Sequence, residues 1–156
     1  MHISNYLCKE NILFNLKASS KEEVLKKLAQ KAASLIDDSS FEEIFEMLLE
    51  REQLGSTAIG GGIAIPHAKI DGLKKLFIIV AVSSEGVPFD SLDGEAVYVI
   101  FLLLAPEDAT IEYLKLLANV SRLLKKESVI TYLKNADGEE EILKIIKEIE
   151  FSKIST

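Results

Sequence analysis

The sequence predicts an α/β fold: a single domain over residues 1–156, with a mixed β-sheet sandwiched between α-helices. Three observations predict it. Leu76–Val82 and Val97–Leu104 are apolar runs of strand length, continuous enough to be buried on both faces. Segments with helical spacing of apolar residues lie before and after them. An Asp93-Gly94 turn between strand runs implies a hairpin, so the sheet is mixed and not purely parallel.

The elements follow in order. Ile3 to Cys8 reads as a short helical turn, and the alternation of Ile12, Phe14 and Leu16 with Leu13 and Asn15 reads as a strand. Ser19 and Ser20 are N-cap residues for a helix over 21–36, whose apolar face is Val24, Leu25, Leu28, Ala29, Ala32, Leu35 and Ile36. Asp37 to Ser40 break the chain and cap a second helix over 41–53, with Ile44, Phe45, Leu48 and Leu49 inward and Gly55 after its end. A glycine-rich loop and the Asp71-Gly72 turn lead to the first apolar strand, and residues 85–95 read as a loop before the second. Pro106 closes that strand. Thr110 is placed to cap a helix over 111–125 that buries Leu114, Leu117, Ala118, Leu123 and Leu124. Residues 129–134 read as helical, and Ile142, Leu143, Ile145, Ile146 and Ile149 mark a last helix.

Composition narrows the function. A chain of 156 residues buries roughly 68–70% of its unfolded surface, enough for one core. Its 18 basic against 25 acidic residues, a net of −7, argue against nucleic acid and against an anionic membrane surface as partner. The longest apolar run, Ala96–Ala105, is far short of the ~20 residues a membrane helix needs. The N-terminus has no basic region followed by an apolar one, so no signal peptide is expected. Cys8 is the one cysteine, which with two histidines leaves no Cys/His zinc site and fits a reducing cytoplasm. No metal and no cofactor are expected.

The chemistry concentrates in Gly55-Ser-Thr-Ala-Ile-Gly-Gly-Gly-Ile-Ala-Ile-Pro-His-Ala-Lys69. Gly55 and Gly60 match the opening of a phosphate-binding P-loop, but Gly61-Gly62 stands where Lys-Ser or Lys-Thr is required. Gly60-x-Gly62 lacks the third glycine of a dinucleotide fingerprint. A Ser56–His67 dyad with an Asp has no Gly-x-Ser-x-Gly elbow to support it. Phosphoryl handling at His67 fits what remains. Neutral imidazole is a competent nucleophile near neutral pH, and phosphoryl transfer asks mainly for positioning and for charge stabilisation. Gly60, Gly61 and Gly62 can present backbone N–H groups to an anion, Ser56 and Thr57 offer hydroxyls, and Pro66 restrains the backbone ahead of His67. Lys69 lies two residues on, and Arg51 just before the loop. On residue types alone, His67 is equally a polar loop group, and Arg51 is equally a helix-end cation placed by the macrodipole.

The run Leu49–Lys69 resembles the active-site segment of the fructose/mannitol/nitrogen-type enzyme IIA of the bacterial sugar phosphotransferase system. Val87-Pro-Phe-Asp-Ser-Leu-Asp-Gly94 and Val99–Ala109 look like the next two blocks, and the likeness covers residues 4–150. The resemblance implies that the phosphocarrier protein HPr or a paralogue phosphorylates His67, at Nε2 in the family. It implies that His67 passes the group to a IIB component of a sugar permease, with fructose the expected sugar and the membrane reached only through that permease. Arg51 matches the family arginine beside the phosphohistidine. The alternative is a nitrogen-type regulatory IIA, phosphorylated at the same residue but acting through partner binding. A third reading is a relative that no longer carries phosphoryl. Two departures stand out. Tyr113, in Ile111-Glu-Tyr-Leu114, replaces the family's second histidine, and Gly61 stands where asparagine is common. Tyr113 then either tunes phosphoryl affinity, slows transfer in a signalling role, or simply packs at a helix start.

Overall fold

The computed structural model describes residues 2–126 and 128–151. Residues 1, 127 and 152–156 of the expected domain lie outside the described residues. A 3-10 turn at Ile3–Tyr6 and a second at Lys9–Asn11 precede β1 (Ile12–Leu13), α1 (Lys21–Leu35) and α2 (Phe41–Gln53). Three short strands follow, β2 (Ala58–Gly60), β3 (Ile63–Ala64) and β4 (His67–Ile70), then the two long strands β5 (Phe77–Val87) and β6 (Val97–Pro106). The chain continues through α3 (Thr110–Leu124), α4 (Val129–Lys134) and α5 (Glu139–Glu150).

The six strands form one mixed sheet in the order β1-β5-β6-β3-β2, with β4 also on β6. β5 and β6 pair antiparallel, as do β2 and β3, while β1 runs parallel to β5, and β3 and β4 run parallel to β6. Side-chain alternation splits the core in two. Ile78, Val80, Phe101 and Leu103 face Leu116, Val120 and Ile142 on the side of α3, α4 and α5. Ile79, Ala81, Ile100 and Leu102 face Leu25, Leu28, Ile44 and Leu48 of α1 and α2. Both faces of β5 and β6 are covered, which is why their sequences read as unbroken apolar runs. The expected α/β fold with a mixed sheet between helices is what the chain adopts. Ser20 and Ser40 cap α1 and α2 as expected, each accepting the N–H three residues on.

Four local expectations change. The strand expected over 12–16 keeps only Ile12 and Leu13, because Asn15 turns the backbone at a φ of +60°. The loop expected over 85–95 starts later, since β5 continues to Val87 through an irregularity in which Ser83 Oγ accepts the Gly86 N–H at 3.0 Å. Thr110 is the first helical residue of α3 and not its cap. The buried stripe of α3 is Tyr113, Leu116, Val120, Leu123 and Leu124, while Leu114 and Ala118 are exposed and Leu117 is partly buried. Counting only leucines and alanine left out Tyr113 and Val120, whose burial turns the stripe by about one residue, ~100° around the axis.

Candidate functional site

The glycine run is a hairpin turn. Gly60, Gly61 and Gly62 have φ of +89°, +66° and +85°, where a β-carbon is strained, and a β-carbon on Gly62 would lie 3.2 Å from the Tyr98 ring. The turn joins β2 to β3, and β3 then runs beside β6, so the segment expected as a loop contributes three strands. At Ile65 the N–H bonds to the Thr57 carbonyl at 3.0 Å, and the Pro66 carbonyl accepts the Leu103 N–H at 3.0 Å. This pairing carries the chain past the proline without a donor from Pro66 and starts β4 at His67 opposite Leu103. Within β4, Ala68 and Ile70 enter the core under α1 and α2. Alternation therefore places His67 and Lys69 on the side of α3.

His67 is half-buried, with Nδ1 2.8 Å from the Ile65 carbonyl. A carbonyl can only accept, so Nδ1 carries the proton and Nε2 carries the free lone pair. The Arg51 Nε–H donates to Nε2 at 3.3 Å, and Arg51 Nη1 is held by the Gly55 carbonyl at 2.9 Å. Burial holds the His67 ring below its ordinary pKa of 6.5, and the Arg51 charge adds to this; the Ile65 hydrogen bond and the Glu52 carboxylate oppose it. The imidazole is thus neutral at pH 7. The Tyr113 ring packs at 5.8 Å between centroids, tilted by 57°. Burial pushes the Tyr113 phenol up to about 12, against the opposing Arg51 charge, so it stays a neutral donor.

Among the site residues expected from the sequence, His67, Arg51 and Tyr113 come together. Ser56 and Thr57 are turned to other work. Ser56 Oγ donates to the Phe89 carbonyl at 3.1 Å and accepts the Ala58 N–H at 3.1 Å. Thr57 is buried, its hydroxyl on one Glu52 oxygen and its N–H on the other. The Gly61 N–H donates to Asp93 Oδ2 at 3.1 Å, so the amide at the centre of the glycine turn is held by a carboxylate of this chain. Lys21 completes a group that the sequence did not reveal, with its ammonium 2.7 Å from Glu52 Oε1. Glu52 could have been suspected as the neighbour of Arg51; nothing in the sequence links Lys21, in the first turn of α1, to this place.

Fold and geometry together give a small α/β domain in which one neutral imidazole turns its lone pair to a guanidinium. Such a pair can attack an electrophilic anion and stabilise the adduct. The chain belongs to the family described as phosphoenolpyruvate-dependent sugar phosphotransferase system EIIA 2, whose model matches residues 5–149. It is 40% identical over 146 residues to a nitrogen regulatory protein of Bradyrhizobium diazoefficiens, covering 94% of this chain and 95% of that one. It is 35% identical over 151 residues to the fructose-specific EIIABC component of Bacillus subtilis, covering 95% of this chain and 23% of that one. The fold is similar to the crystal structure of the nitrogen regulatory protein IIA-Ntr from Neisseria meningitidis, with a TM-score of 0.86 and 32% identity, covering 92% of this chain and 98% of that one. Among the described residues, no helix is long and apolar enough to cross a membrane.

Proposed function

We propose that this protein is a cytoplasmic phosphoryl carrier, with Nε2 of His67 as the atom that accepts the group. Phospho-HPr or a paralogue is the donor. The observation that carries the reading is the pair of opposed contacts on one ring: the Ile65 carbonyl on Nδ1 and the Arg51 Nε–H at Nε2. The first leaves Nε2 unprotonated and the second sets a fixed positive charge where phosphoryl oxygens gather. As the Nε2–phosphorus bond forms, the donor's bond to phosphorus breaks and its electron pair returns to the donor. The proton on Nδ1 stays where it is. Tyr113 sits against the same ring and supplies a neutral hydroxyl to the group. The other residues expected at the phosphoryl, Ser56, Thr57, Gly60, Gly61 and Gly62, act one layer out: their contacts lock the loop that carries the Gly55 carbonyl and hence Arg51.

Incubation with phosphoenolpyruvate, enzyme I and HPr should place one acid-labile phosphoryl group on the protein. His67→Ala should remove it, and Arg51→Ala should slow its arrival by ~10²-fold, the scale for losing one charge-stabilising donor. Label that persists on the His67 variant rejects the reading.

Two destinations for the group stay in play. The relative matched at 40% identity along nearly its full length bears the name nitrogen regulatory protein, which favours a regulatory carrier whose phosphorylation state controls partner binding. The 35% match to a fructose-specific EIIABC component supports onward transfer to a IIB domain for sugar uptake. Transfer assays from the phosphorylated protein to purified IIB domains separate the two, since only the second predicts loss of label to the acceptor.

A further inference from the structure

Strand β4 and helix α3 are joined beside the site by two contacts. His67 meets Tyr113 at 5.8 Å between ring centroids, and Lys69 Nζ donates to Thr110 Oγ1 at 2.6 Å. Residues 67 and 69 lie on one face of the strand, roughly 6.5–7 Å apart at two strand rises. Residues 110 and 113 lie one helical turn apart on one face of α3.

A phosphoryl group on His67 carries close to two negative charges, by analogy with a protein phosphate of ≈ −1.5 to −2. Arg51 offsets one. Lys21 is paired with Glu52 at 2.7 Å. Tyr113 is a neutral phenol at working pH and offsets none. Lys69 is the cation on the same strand face as His67, and its partner in the present state is an uncharged hydroxyl that is easily exchanged.

We propose that Lys69 is a further catalytic residue, a second cation that leaves Thr110 and contacts the phosphoryl oxygens once the group is on His67. The inference rests on His67 as the phosphoryl carrier. In the transfer step the donor's bond to phosphorus breaks as the Nε2–phosphorus bond forms, and Lys69 moves no proton. It exchanges a neutral hydroxyl oxygen for an anionic phosphoryl oxygen, so that donor and acceptor both carry charge. Thr110 is thus the resting place of Lys69 in the unphosphorylated protein.

The test measures the equilibrium of phosphoryl exchange between labelled phospho-HPr and four proteins: wild type, Lys69→Gln, Lys69→Arg and Thr110→Val. Lys69→Gln should hold about five- to tenfold less phosphoryl at equilibrium, Lys69→Arg should stay near wild type, and Thr110→Val should hold as much or more. The gap between wild type and Lys69→Gln should close at ~1 M salt, where the Debye length is about 3 Å. A lysine that merely straps β4 to α3 gives the opposite pattern, with Lys69→Gln and Thr110→Val falling together and no dependence on salt. That pattern, or Lys69→Gln within twofold of wild type while wild type is labelled on His67, overturns the proposal and leaves the carrier reading intact. No label on wild type overturns both.

Discussion

If His67 is the phosphoryl carrier proposed above, the proton and the phosphoryl group compete for one lone pair. Nδ1 is committed to the Ile65 carbonyl, so acidification must protonate Nε2, the same atom proposed to accept the group. Burial and the Arg51 charge both disfavour the imidazolium, placing its pKa below 6.5. The sign follows: phosphoryl uptake should be level from pH 8 down to about the ordinary histidine value and should fall only at lower pH. A ring-proton titration by NMR, assigned with His67→Ala, should show the same midpoint; a midpoint above 6.5 would mean that the ring is not desolvated as described. Tyr113→Phe keeps the packed ring and removes only the hydroxyl. It should lower phosphoryl retention by a few-fold, the worth of one neutral hydrogen bond of about 1 kcal/mol, and Tyr113→His should retain or raise the transfer rate. If the Phe variant matches wild type, the hydroxyl has no part at the phosphoryl. The meeting of His67 and Arg51 was legible because their residue types suit one chemistry and lie close in the chain. The roles of Ser56 and Thr57 were not, because a hydroxyl's partner is set by tertiary contacts such as Glu52 and the Phe89 carbonyl.

Among the elements, α1 and α2 read well from the sequence because clear serine caps and an aliphatic stripe agree. The three strands within Ala58–Ile70 did not, since strands of two to four residues with glycine φ above zero give no periodic signal. β3 and β4 exist because β6 offers a long edge to pair with, and β2 adds onto β3. α3 shows a third case, in which the helix was legible but its face was not. Leu116 is fully buried against the sheet, whereas Leu114 is 55% exposed. Leu116→Ala should therefore cost about 2–5 kcal/mol of unfolding free energy. Leu114→Ala should stay within about 0.5 kcal/mol of wild type. Urea unfolding of the two variants checks the register, and equal losses would restore the stripe expected from leucine spacing.

Taken as a whole, the molecule brings its site to a rim made by chain segments far apart in sequence: the end of α2, the start of β4 and the first turn of α3. Large apolar side chains stand exposed at the same places. Leu54, which follows α2, is 85% exposed, and Ile111 and Leu114, on either side of Tyr113, are 67% and 55% exposed. Single exposed leucines need no explanation. Three exposed apolar side chains on the segments that carry Arg51 and Tyr113 suit the docking of the proposed phosphoryl donor, since apolar anchors near the centre of a contact carry most of its energy. Their exposure also means that they hold little of the fold together. The triple variant Leu54→Ser, Ile111→Ser, Leu114→Ser should keep the wild-type melting temperature and should slow transfer from phospho-HPr by at least tenfold, about 1.4 kcal/mol of lost docking energy. Labelling of His67 by a small phosphoramidate, which needs no docking surface, should be unchanged. A variant slowed equally with both donors would place the defect in the site itself, and one slowed with neither would show that the donor approaches across a different face.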